Sequence, residues 1–179
     1  GFDLYLRMIG EAVNDFRGEV AEGQTELRLE LPVDAHIPEE YVESERLRLE
    51  AYQKLSAASG PASAPEQLDL VLEELADRYG PPPPQVENLI AVSRLRRAAQ
   101  KAGLSEVVTA AGRLRIVGGE LPDSIQVRLQ RMYPGSRYVA QTRTVMLPLP
   151  TLADDAALVE WTATLLAAIY PQPLPPVEP

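Results

Sequence analysis

Cysteine is absent from the chain and histidine occurs once, at His36. Disulfide scaffolds, thiol catalysis, thiolate metal sites and His-rich metal clusters are thereby excluded. Long apolar runs are missing too. The longest, around Trp161 to Tyr170, is broken by threonines and is about half of what crosses a bilayer. No basic start followed by an apolar core marks a signal peptide, so a cytoplasmic location without membrane contact is expected. The catalytic motifs are lacking as well: there is no GxxxxGK[ST], no GxGxxG opening a helix and no GxSxG, hence no phosphate cradle and no nucleophile elbow. His36 falls in a loop between Asp34 and Glu39, and nothing supports a Ser-His-Asp arrangement around it. The carboxylate pairs Glu39-Glu40, Glu73-Glu74 and Asp154-Asp155 read as solvated faces and helix N-termini rather than as an acid–base pair in a cleft.

What is present is acid. The 179 residues hold 26 acids and 17 bases, for a net charge of −9. Residues 1–80 carry 18 acids and 7 bases, and residues 81–179 carry 8 acids and 10 bases. An acidic first half repels nucleic acid and anionic membranes and suits a basic protein partner.

Periodicity gives an α+β class: one helix-rich domain over residues 1–170 with short antiparallel strand pairs, followed by a proline-rich tail, 171–179. Phe2, Leu6, Ile9 and Val13 share a helix face. A pattern that opens with no lead-in suggests a piece of something longer. Leu27, Leu29 and Leu31 alternate with Glu26, Arg28 and Glu30, which predicts a half-buried strand over 25–31. Ser44 is placed to cap a helix running to about Ala58. Ser63 and Glu66 form a capping-box pattern around Pro65 ahead of a helix that ends at Tyr79, before Gly80. A further helix is expected from Pro84 to Ala102. Strand pairs follow at 106–110 with 113–117, and at 137–140 with 144–147. Helices are predicted at 124–133 and at 154–170, the last with Leu158, Trp161, Leu165 and Ile169 on its apolar face.

The helix from Glu66 to Tyr79 is the most informative segment. At about 100° per residue, Leu68, Val71, Leu72, Leu75 and Tyr79 fall on one side as a core stripe. Glu66, Asp69, Glu73, Glu74 and Asp77 gather on the other, with Leu70 among them. Two readings fit. One is a solvated face with a stray leucine. The other is a docking face, where burying Leu70 contributes roughly 1.5–3 kcal/mol and the acids select and orient a basic partner. A basic stripe, Arg94, Arg97 and Lys101, lies on the next helix. It supports nucleic-acid contact as an alternative function, or pairing with acids of the same domain.

Four stretches carry a family resemblance: Gly1–Val13 (GFDLYLRMIGEAV), Arg48–Leu55 (RLEAYQKL), Glu74–Gly80 (ELADRYG) and Leu95–Leu104 (LRRAAQKAGL). In these, and in their order, the chain resembles the C-terminal domain of the bacterial transcription-repair coupling factor. The resemblance implies a non-catalytic regulatory fragment with no cofactor of its own. It implies a parent that is an ATP-dependent DNA translocase, using ATP and Mg in an upstream motor. That parent would remove RNA polymerase stalled at damage and recruit the excision machinery through UvrA. The C-terminal domain would pack on the parent's UvrB-like module, covering the surface UvrA binds, and no nucleic acid is expected on the isolated domain. The family's contact acids, carried over, are Glu74 and Asp77, both on the acidic face. Departures from the family pattern are the small-residue stretch Gly60–Ala64, the four prolines from Pro81 and the proline-rich tail.

Overall fold

The computed structural model describes residues 26–171. The expected helix over Phe2–Val13, the first resembling stretch and nearly all of the tail lie outside the described residues. The first described element is β1 (Arg28–Glu30), the centre of the predicted 25–31 strand, with Leu27, Leu29 and Leu31 buried. Helix α1 (Glu45–Ala58) starts where Ser44 accepts a hydrogen bond from the Leu47 amide at 3.3 Å. Helix α2 (Glu66–Tyr79) ends at Gly80, whose φ of 89° no β-carbon-bearing residue adopts cheaply. Helix α3 (Pro84–Lys101) opens with proline in its first turn, where a missing amide costs nothing.

Two hairpins follow, β2 (Glu106–Ala110) with β3 (Arg113–Val117), and β4 (Arg137–Val139) with β5 (Thr144–Pro148). Helix α4 (Asp123–Met132) lies between them in sequence, and α5 (Asp155–Ile169) closes the described chain. Asp154 caps α5 by accepting from the Ala157 amide at 2.8 Å.

The hairpins are not separate units. They join through β3 and β5, and β1 adds in parallel to β2, giving one five-stranded mixed sheet of order β1-β2-β3-β5-β4. A single row, Leu29, Val107, Ile116, Val145 and Tyr138, runs in register across all five strands. Its first four members are buried and Tyr138 is half-buried. Helix α3 is the hub on the helical side. It packs against α1, α2 and α5 and buries Val86, Leu89, Ile90, Leu95 and Ala99.

Two local expectations are corrected. Ser63 and Glu66 do not form a capping box: Pro65 occupies the cap position, and the Ser63 hydroxyl donates back to the Ala57 carbonyl at 2.8 Å. On α5 the buried positions are Val159, Thr162, Leu165, Leu166 and Ile169, while Leu158 and Trp161 are only half-buried. That helix is apolar on most sides, so its periodicity constrains orientation weakly.

Candidate protein-docking face

Helix α2 is held from below and from both flanks. Its inner stripe, Leu68, Val71 and Leu75, is buried, with Leu72 and Tyr79 half-buried. The Tyr41 hydroxyl lies 3.0 Å from the Leu75 carbonyl and 2.8 Å from the Gly80 carbonyl, donating its single proton between them. The Tyr41 ring meets Tyr79 edge-on at 5.8 Å, and burial pushes the Tyr41 phenol above its ordinary value. Arg78 sits over the Tyr79 ring at 5.2 Å. Tyr41 therefore fixes the last turn of α2 through both its hydroxyl and its ring.

The acidic face points outward, as the helical geometry predicts, but its five acids are not equivalent. Glu74 lies on the α1 side. Its carboxylate takes a hydrogen bond from Lys54 at 2.6 Å and lies 3.7 Å from Arg78. The Lys54 bond holds the Glu74 carboxyl below the usual carboxylate range. Asp69 lies on the α3 side and pairs with Arg94. Between these flanks run Glu66, Leu70, Glu73 and Asp77, spaced i, i+4, i+7 and i+11. They form a crest roughly 16 Å long at 1.5 Å per residue. All four are exposed, Leu70 to 54%. None of the three crest acids has an ion pair or side-chain hydrogen bond among the described residues. Beside the crest, a shallow dent between α1 and α2 is lined by Leu47, Ala51, Lys54, Val71, Glu74 and Tyr79.

Of the two residues carried over from the family, Asp77 stands on the free crest and Glu74 is already engaged. Lys54 was invisible to a reading of α2 alone, because its pairing joins residues 20 apart on two different helices. The basic stripe fares differently from the crest. Arg94 is spent on Asp69, and Arg97 donates to the Ser63 carbonyl at 3.0 and 2.6 Å. Only Lys101 of the three stays unengaged among the described residues. Those contacts disfavour the stripe as a nucleic-acid surface, which needs cations free to meet phosphate. His36 is a half-exposed loop residue with Nδ1 2.7 Å from Asp34 Oδ1. No group of three or more His, Asp or Glu among the described residues is placed to hold a metal ion. No described helix is long and apolar enough to cross a membrane.

The family described as "TRCF domain" matches residues 31–126, a little over half of the chain. Proteins named transcription-repair-coupling factor from Mycobacterium bovis and Mycobacterium tuberculosis are each 42% identical over 192 residues, covering 97% of this chain and 15% of the relative. The Staphylococcus epidermidis protein of that name is 39% identical over 106 residues, covering 58% of this chain and 9% of its own length. The chain thus spans a small part of these relatives. A solved structure described as the C-terminal domain of transcription-repair coupling factor superposes with a TM-score of 0.64 at 17% identity, covering 81% of this chain and 94% of that one; it shares the fold. The family match and this arrangement of helices and sheet converge, and the chain belongs to the TRCF domain family.

Proposed function

We propose that this domain serves transcription-coupled repair as a non-catalytic lid within a transcription-repair coupling factor. The crest of α2 docks on a basic, partly apolar surface of the UvrB-like module of the same parent chain and masks the surface that UvrA binds. ATP and Mg belong to the parent's upstream motor, which engages DNA and stalled RNA polymerase. The observation that carries the reading is the crest itself. Glu66, Glu73 and Asp77 stand exposed without partners among the described residues, aligned with an exposed leucine. Leu70 would contribute the desolvated contact and the acids the orientation.

Holding such a lid closed at 99:1 takes only ~2.7 kcal/mol. One buried leucine and a few oriented ion pairs can supply that, and engagement of the motor can overturn it. The test is a titration of this chain against the isolated UvrB-like module, comparing wild type with Glu73→Arg plus Asp77→Arg. The double variant should fold normally and bind about tenfold more weakly at low salt, the scale of two exposed ion pairs lost and reversed. Unchanged binding would remove the crest from the interface.

A further inference from the structure

The outward face of the sheet is mostly charged on β1 and β2 and mixes arginine with aliphatic side chains on β3, β5 and β4. Register assigns its members. Arg28, Glu106, Val117, Thr144 and Val139 form one row, and Glu30, Val108, Arg115, Met146 and Arg137 the next, with Arg28 and Glu30 paired to each other at 3.0 Å. Arg113 pairs with Pro148 at the hairpin end. The opposite row, from Leu29 to Tyr138, faces the helices, so these residues face away from them. An antiparallel sheet packed on one side ordinarily alternates apolar-in with polar-out. Here the outward positions on β3, β5 and β4 include Val117, Met146, Pro148 and Val139, with Val139 38% exposed.

The charges on this face are lopsided. Glu106 is consumed by Arg115 at 3.0 Å. Arg113 and Arg137 are exposed and have neither an ion pair nor a side-chain hydrogen bond among the described residues. Arg137 lies beside Met146 and Arg113 beside Pro148, so two free guanidinium groups border the half-exposed Met146 and the exposed Pro148 and Val139. The strands of the two arginines are two positions apart in the sheet and the two residues are offset by two along the strands, which puts their backbones about 12 Å apart at ordinary strand dimensions.

We propose that this face, centred on Val139, Met146 and Pro148 and bordered by Arg113 and Arg137, is a second docking surface. Its occupant is an acidic protein segment that presents aliphatic side chains between carboxylates. The charge sign selects acid, and guanidinium pairs bidentately with carboxylate. The aliphatic side chains select a protein over a nucleic acid. Single strands bind sheet faces by stacking bases on aromatic rings, and no aromatic residue stands among these outward positions of β2, β3, β5 and β4. This surface is independent of the α2 crest and has the opposite charge, so it neither rests on the lid reading nor competes for the same partner.

The test uses the whole chain and a fluorescein-labelled 12-residue peptide of alternating glutamate and valine, followed by anisotropy and by amide chemical shifts. Its controls are the same peptide with glutamine for glutamate, and a labelled 20-base-pair DNA duplex. The expected result is binding of the acidic peptide alone, with shifts confined to residues 113–117, 137–139 and 144–148. Arg137→Glu and Val139→Asp should each weaken it about fivefold, the usual scale of one exposed contact. Glu73→Arg, on the α2 crest, should not weaken it. Shifts elsewhere, indifference to both sheet variants, equal binding of the glutamine peptide, or tighter binding of the duplex would each overturn the proposal.

Discussion

Lys54 Nζ stands 2.6 Å from Glu74 Oε1, tying α1 to the flank of the acidic face on α2. The pair divides a face that looks uniform on a helical wheel. Glu74 reaches a partner within the domain, whereas Asp77, one turn on, meets none among the described residues. The pair of acids carried over from the family is thus one carboxylate without a partner among the described residues and one that, in the proposed docking, a partner would share with Lys54. Asp77→Arg should accordingly weaken binding to the UvrB-like module more than Glu74→Arg does, by about threefold on the scale of one exposed ion pair. Equal losses, measured by titration calorimetry at low salt, would show that Lys54 yields Glu74 freely to the partner.

The same pair sets a pH dependence of stability. The Lys54 hydrogen bond lowers the Glu74 carboxyl from its ordinary value of 4.5 in the folded chain. A carboxyl lowered on folding contributes stability above its unfolded pKa and loses that contribution as the pH falls through the folded one. Lys54→Met should therefore be less stable than wild type at pH 6, by about 0.5 kcal/mol for so exposed a pair. The two should converge as the pH drops below 4.5 towards the lowered value. Thermal melts at pH 6 and pH 3 measure the difference; a gap as large at pH 3 as at pH 6 would mean that Lys54 acts through packing of its methylenes.

Much of this was legible in the sequence. Helix α2 was readable in full because Leu68, Val71 and Leu75 repeat at helical spacing and Gly80 stops the pattern. The hairpin at Ala110–Arg113 was readable because alternation breaks at a glycine. What could not be read was long-range. The parallel pairing of Leu29 with Val107 spans 78 residues, and no local signal specifies it. The partners of Arg94 and Arg97 lie on other elements, so a basic stripe and a set of internal struts look alike in one dimension. The Ser63–Glu66 pattern misled because a hydroxyl has several carbonyls within reach. Ser63 turned back to Ala57, which closes the link between α1 and α2 instead of opening α2.

Gly119 and Tyr170 form a clasp between the end of β3 and the end of α5. Gly119 has φ +73°, and a β-carbon there would stand 2.7 Å from Tyr170 Cε1. The Tyr170 hydroxyl donates to the Gly118 carbonyl at 3.3 Å. Burial raises this phenol far above its ordinary value, so it stays protonated and able to donate throughout the working range. Gly119→Ala should cost about 2–3 kcal/mol, combining left-handed strain with displacement of the ring. Gly112→Ala offers a control, since it has the same φ of +73° with open space around it, and should cost only the strain, about 1 kcal/mol. Urea unfolding of both variants separates the two contributions.

The turn between β2 and β3 contains a position where substitution should help. Ala111 and Gly112 are its two central residues, with φ of 52° and 73°, and Ala110 and Arg113 close the ladder on either side. Positive φ at both centres is the type I′ geometry that matches the right-handed twist of a hairpin and favours Asn-Gly. Alanine in this region brings its β-carbon against the following carbonyl, at a cost of roughly 1 kcal/mol. Asparagine tolerates the conformation better and hydrogen-bonds locally. Ala111 is exposed, so the longer side chain displaces nothing. Ala111→Asn should raise the unfolding free energy by about 0.5–1 kcal/mol without affecting docking by the α2 crest. A loss of stability in urea titrations would show that the hairpin does not hold this turn in solution.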